Sequence, residues 1–103
     1  MTIKIGINGM GRIGRMIIRA ITENQKDNIK IQHINNRSNS EITSTLIKYD
    51  SVHGKFDANL SFDKNHLIIN KNKISFSQET KIENINWKKF GVDYVFECTG
   101  KFN

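Results

Sequence analysis

The chain has 103 residues, 37% of them hydrophobic and 25% charged, which is enough for a single globular core and too little for two domains. No apolar run approaches the roughly 18 residues of a membrane-spanning helix, and Met1-Thr2-Ile3-Lys4-Ile5 has no apolar leader, so a membrane role is excluded as an expectation. One cysteine cannot form an internal disulfide, which suits a reducing cytoplasm, and the net charge of +6 raises the question of an anionic partner.

Residues 3–7 carry alternating β-branched side chains and predict a buried strand. It runs directly into Gly9-x-Gly11-x-x-Gly14, after which Ile13, Ile17, Ala20 and Ile21 recur at helical spacing, with Arg12, Arg15 and Arg19 off that face. Residues 24–28 are polar and end the helix, and residues 29–34 predict a second strand. Residues 3–34 thus form a β-α-β unit with parallel strands. Ser40 is the expected N-cap of a helix over residues 41–49, with Ile42, Leu46 and Ile47 as its buried face. Strands are expected over 58–62 and 66–69 around the turn Asp63-Lys64-Asn65, then over 74–78 after a turn at 70–72. Asn84 is placed as the cap of a short helical turn holding Trp87 and Phe90, ended by Gly91. A last strand covers 94–97. There is no proline, repeat or linker, so the chain reads as one continuous α/β unit.

The glycine spacing carries the chemistry. Gly9 permits a tight turn, Gly11 lets backbone approach a pyrophosphate, and Gly14 lets helix and strand pack closely. The helix N-terminus offers N–H groups and a partial positive charge to phosphate. Strand before and helix after is the context this motif requires. The lysine excess between residues 64 and 89 reads as a solvated surface rather than a nucleic-acid face, because no basic-aromatic interleaving accompanies it.

Three segments resemble the cofactor-binding half of phosphorylating glyceraldehyde-3-phosphate dehydrogenases. They are Gly6-Ile7-Asn8-Gly9-Met10-Gly11-Arg12-Ile13-Gly14-Arg15, then Leu46-Ile47-Lys48-Tyr49-Asp50-Ser51-Val52-His53-Gly54-Lys55-Phe56, and Glu97-Cys98-Thr99-Gly100-Lys101-Phe102. The resemblance is collinear over the whole chain and implies that residues 1–103 are the N-terminal part of a dinucleotide-binding domain. It implies a Rossmann-type parallel sheet, incomplete at about four parallel strands in order 3-2-1-4, with a small antiparallel hairpin insertion. It also implies a nicotinamide dinucleotide as cofactor and partner, a family homotetramer that this fragment need not form, and a cytoplasmic place in glycolysis.

By the resemblance, Asn8, Gly9, Gly11, Arg12, Ile13 and Gly14 surround the pyrophosphate, and Asn36 and Arg37 stand at the adenosine ribose. Thr99, Gly100 and Phe102 approach from the nicotinamide side, and the segment 49–56 lies near subunit contacts. Two positions depart from the family pattern. Asn36 replaces the usual aspartate, which removes a carboxylate that would repel a 2′-phosphate, and Arg37 follows as a possible phosphate partner. This inclines the cofactor, NAD or NADP, toward NADP or dual use; the alternative is that Asn36 bonds the 2′-hydroxyl and Arg37 points to solvent. Thr80 stands where the family has a basic residue near the adenine.

The family's nucleophilic cysteine and its histidine base lie in segments beyond residue 103, so no catalytic residue is assigned and the 103-residue chain is expected to be inactive. Cys98 reads as a small buried residue. His33 alternates with apolar neighbours on a strand, His53 and His66 have no cysteine partner, Glu97 reads as a positioning carboxylate, and no metal cluster is evident. The leading reading is the nucleotide-binding part of such a dehydrogenase. A free-standing nucleotide-binding or regulatory module and a basic nucleic-acid-binding protein are the alternatives. In the 3-2-1-4 order, the strand over 94–97 is expected to be an apolar sheet edge, prone to association.

Overall fold

The computed structural model describes residues 2–24, 28–50, 54–55, 59–70 and 72–98. The elements in chain order are β1 (Ile3–Asn8), α1 (Arg12–Asn24), β2 (Ile29–Asn35), α2 (Ser40–Lys48), β3 (Tyr49–Asp50), β4 (Gly54–Lys55), β5 (Leu60–Asp63), β6 (His66–Ile69), β7 (Asn72–Ser77), a 3-10 turn (Ile82–Asn84) and β8 (Tyr94–Glu97). Six strands form one sheet in the order β5-β6-β7-β2-β1-β8. β7, β2, β1 and β8 are mutually parallel, while β5 and β6 add an antiparallel hairpin on β7. This is the predicted Rossmann-type arrangement with its 3-2-1-4 order and hairpin. β3 and β4 pair separately.

A break in register explains how β2 serves two faces. Ile3 pairs with Ile29 and Ile5 with Ile31, but Gly6 then pairs with His33, leaving Gln32 as an extra residue. The bulge resets the alternation, so Ile31 and Ile34, three apart, both reach the face that α1 covers. That face holds Ile5, Ile7, Ile18, Ile31 and Ile34, all within the buried core cluster. Gly6, Asn8, His33 and Asn35 turn to the opposite face, which the segment carrying Trp87 and Phe90 covers.

Several local expectations are corrected. The buried stripe of α1 runs through Gly14 and Ile18 with Ile17 and Ile21 half-buried, while Ile13 is 53% exposed because it sits past the strand ends. Arg19, off the expected apolar face, is nonetheless buried and donates from Nη2 to the Ile47 carbonyl at 3.1 Å. Its cation thus closes the C-terminal end of α2, where helix carbonyls lack partners. The N-cap of α2 is Asn39, whose side chain accepts from the Ile42 N–H at 2.8 Å. Ser40 instead donates to the Asp63 carbonyl at 2.6 Å, tying α2 to the hairpin. The buried face of α2 is therefore Ser40, Thr43, Ser44 and Ile47, whereas Ile42 and Leu46 are exposed.

The hairpin strand expected over 58–62 is Leu60–Asp63, with Ala58 outside the described residues. β7 starts earlier than expected and ends at Ser77. The turn at Trp87–Phe90 is capped by Asn86 rather than Asn84, since the Lys89 N–H donates to Asn86 Oδ1 at 3.2 Å. Gly91 closes it at φ +77, a left-handed conformation that favours glycine. β8 is a sheet edge as expected, with Tyr94, Val95 and Phe96 exposed.

Candidate nucleotide site

The site begins where β1 ends. Asn8 leads into Gly9 at φ +95, a turn that a side chain would strain. Backbone bonds pin the turn to both neighbouring strands: the Gly9 N–H donates to the Asn35 carbonyl at 2.7 Å, and the Gly11 N–H to the Cys98 carbonyl at 2.9 Å. The Cys98 N–H in turn donates to the Asn8 carbonyl at 2.7 Å. Gly14 permits close packing, because a Cβ there would lie 2.6 Å from the Gly9 carbonyl oxygen and 3.2 Å from Cys98 Cβ.

The first rung of α1 runs from the Arg15 N–H to the Gly11 carbonyl at 3.1 Å. The N–H groups of Arg12, Ile13 and Gly14 therefore precede the helix's own ladder, at the positive end of its dipole. Arg12 and Ile13 are exposed beside them, and Arg15 Nη1 donates back to the Met10 carbonyl at 3.2 Å. Three parallel strands, β2, β1 and β8, end around this helix start. In open parallel sheets that crevice is where ligands bind.

Asn36 follows β2, half-buried. Its Oδ1 accepts from the Met10 N–H at 3.3 Å, and its Nδ2 donates to Thr43 Oγ1 at 3.0 Å, so it ties the glycine turn to α2. Arg37 is exposed next to it, and its carbonyl accepts from Gln78 Nε2 at 3.2 Å. Asn8 lies beneath the turn, buried. Its Nδ2 donates to Glu97 Oε2 at 2.8 Å and its Oδ1 accepts from Asn35 Nδ2 at 2.9 Å. Thr99, Gly100 and Phe102 lie outside the described residues.

Neither candidate nucleophile nor base in the described residues is poised for chemistry. Cys98 is buried against the glycine turn, and burial together with the nearby Glu97 carboxylate pushes its thiol above the usual range. His33 is fully buried, stacked on Phe90 at 3.8 Å between ring centroids and edge-on to Trp87 at 5.4 Å. Its removal from water lowers its pKa to about 4. The alternation along β2 predicts that His33 faces one side of the sheet, but nothing in the local pattern signals this aromatic enclosure, whose ring residues lie more than fifty positions away.

Residues 3–103 match the family described as glyceraldehyde 3-phosphate dehydrogenase, NAD binding domain. The chain belongs to the glyceraldehyde-3-phosphate dehydrogenase family. Among curated relatives of this family, the glyceraldehyde-3-phosphate dehydrogenase of Salmonella typhimurium is 44% identical over 102 residues, covering 99% of this chain and 30% of the relative. That of Geobacillus stearothermophilus is 42% identical over 102 residues with the same coverage, and glyceraldehyde-3-phosphate dehydrogenase A of Escherichia coli K12 is 43% identical. The chain spans about 30% of the length of these relatives. Among the described residues, no helix is long and apolar enough to cross a membrane. The glycine turn, the parallel strand order and the family agree on a dinucleotide as the cofactor.

Proposed function

We propose that this chain holds a nicotinamide dinucleotide across the carboxyl ends of β2, β1 and β8, as the cofactor-binding part of a glyceraldehyde-3-phosphate dehydrogenase. The observation that carries this reading is the trio of N–H groups at Arg12, Ile13 and Gly14, ahead of the α1 ladder, in a crevice bounded by three parallel strand ends. The pyrophosphate rests on that helix start beside the Gly9 and Gly11 backbone, and the Arg12 side chain offers its cation. Asn36 and Arg37 border the adenosine ribose, and the family resemblance assigns Thr99, Gly100 and Phe102, which lie outside the described residues, to the nicotinamide end. Asn8 supports the turn from beneath.

The ribose end accepts a 2′-phosphate as well as a hydroxyl. Asn36 brings no carboxylate to repel it, and Arg37 stands exposed one residue on. The parent reaction in this reading is phosphorylating oxidation of glyceraldehyde 3-phosphate, with hydride passing to the nicotinamide, in a cytoplasmic homotetramer. The described residues supply binding and orientation for that step. Fluorescence titration with NADH and NADPH tests the reading: both bind, and Asn36→Asp weakens NADPH by about tenfold relative to NADH. Failure of both cofactors to bind overturns the site, and clearly tighter NADH than NADPH binding to the unaltered chain overturns the acceptance of a 2′-phosphate alone.

A further inference from the structure

On the sheet face opposite α1, one line of side chains crosses four strands. His33 Nε2 lies 2.8 Å from Ser77 Oγ, which lies 2.6 Å from Asn35 Oδ1. Asn35 Nδ2 lies 2.9 Å from Asn8 Oδ1, and Asn8 Nδ2 lies 2.8 Å from Glu97 Oε2. The chain therefore links β7, β2, β1 and β8, and Asn8, its last member before Glu97, immediately precedes the glycine turn.

The direction of every bond follows from the backbone of Glu79. Its N–H can only donate and meets Asn35 Oδ1 at 2.8 Å; its carbonyl can only accept and meets Asn35 Nδ2 at 3.0 Å. That pair fixes which end of the Asn35 amide is which. Asn35 Nδ2 must then donate to Asn8 Oδ1, which leaves Asn8 Nδ2 to donate to the Glu97 carboxylate. Ser77 must donate to Asn35 Oδ1, and a hydroxyl has one proton, so it receives from His33 Nε2. The remaining ring nitrogen, Nδ1, lies 2.6 Å from Ser75 Oγ. Ser75 also reaches the Gln32 carbonyl, at the longer distance of 3.1 Å. A neutral ring with its hydrogen on Nε2 takes the Ser75 proton at Nδ1 and leaves the longer contact. All the bonds then point one way, from Ser75 through His33 to Glu97, and aligned bonds of this kind reinforce one another.

We propose that this directed chain holds the glycine turn in its nucleotide-receiving shape, with His33, Ser77 and Asn35 as positioning residues that never touch the nucleotide. The proposal rests on the reading of the crevice as a dinucleotide site. His33 anchors the far end because Phe90 and Trp87 fix its ring plane, and the near end grips Asn8, whose carbonyl and following Gly9 N–H form the base of the turn. Loosening a link three residues removed from the crevice therefore lets Asn8 and the turn shift together.

Long-range nitrogen–proton spectra of the histidine ring, joined to NADH titration of the 103-residue chain, test this. In the unaltered protein near neutral pH, His33 carries its hydrogen on Nε2. Ser77→Ala removes the acceptor, so the hydrogen moves to Nδ1, with Ser75 receiving it and turning its own proton to Gln32. NADH affinity then falls by about threefold to tenfold, the size of one hydrogen bond. Ser77→Thr keeps the hydroxyl and restores both readouts. A hydrogen on Nδ1 in the unaltered protein overturns the directed chain, and that spectrum decides even where Ser77→Ala fails to fold. Unchanged NADH affinity in folded Ser77→Ala, against normal binding by the unaltered chain, overturns the positioning role and leaves the nucleotide site standing. Failure of the unaltered chain to bind NADH overturns the site itself, and the positioning role with it.

Discussion

The two faces of the parallel sheet are built on opposite principles. The face under α1 is aliphatic, with Ile5, Ile7, Ile31 and Ile34 against Ile18, and its cohesion depends on volume and contact. The other face is polar at the same depth, with Asn8, Asn35 and His33 buried and hydrogen-bonded in sequence. Volume tolerates any apolar shape that fills it, whereas a hydrogen-bonded line tolerates only groups of the right donor and acceptor sense. The aliphatic face therefore supplies most of the stability, and the polar face sets where the strand ends and the glycine turn sit.

The largest blow to this contrast is Ile34→Ala. Ile34 is fully buried, so the loss of its side chain is expected to destabilise the chain by about 2 to 5 kcal/mol, through lost transfer and the cavity left behind. Urea unfolding measures it, and a cost below that of a surface substitution would deny the aliphatic face its role.

Acid strikes the other face. His33 titrates at about 4 when folded against 6.5 as its ordinary value, because burial penalises the charged ring. The unfolded chain therefore binds a proton that the folded chain refuses. Stability is held above pH 6.5 and lost as the pH falls through 4, by about 3 kcal/mol in all. Comparing urea midpoints at several pH values in this window tests it. His33→Gln, which carries no titrating ring, is expected to flatten the slope; an unchanged slope would assign the acid sensitivity elsewhere.

A third test sets one glycine from each face against the other. A Cβ at Gly14 meets the Gly9 carbonyl oxygen at 2.6 Å, and backbone there cannot yield without moving the turn. A Cβ at Gly6 meets Trp87 ring carbons at 2.6 and 2.7 Å, and a side chain can shift. Gly14→Ala is expected to cost about 1 to 3 kcal/mol and to weaken nucleotide binding, while Gly6→Ala costs less and disturbs Trp87 fluorescence. Equal costs would mean that the aromatic cover is as unyielding as the turn.

Much of this was legible from local pattern. The glycine spacing between a strand and a helix gave the turn its meaning, and residues 66–69 and 94–97 were delimited correctly because short β-branched or aromatic runs sit between strong turn formers. Errors arose where a residue had a better partner far away. Ser40 looked like a cap, but its hydroxyl serves the hairpin, and Asn39 does the capping. Arg19 lies off the apolar stripe of α1, yet the Ile47 carbonyl at the end of α2 draws it inside. The bulge at Gln32 is invisible to any period-two reading, and without it Ile31 and Ile34 cannot share a face. The polar line was hidden for a similar reason, since Ser75 and Ser77 lie 42 and 44 positions from His33.

The grip of Asn35 on Glu79 has one more implication. The amide holds only main-chain atoms, an N–H and a carbonyl, and the Glu79 side chain itself is exposed. Anchorage of the segment after β7 is thus indifferent to which amino acid occupies position 79, so long as it is not proline. Position 79 is free to vary in charge and size while its backbone stays moored, so variation there proceeds without loosening the sheet beside it.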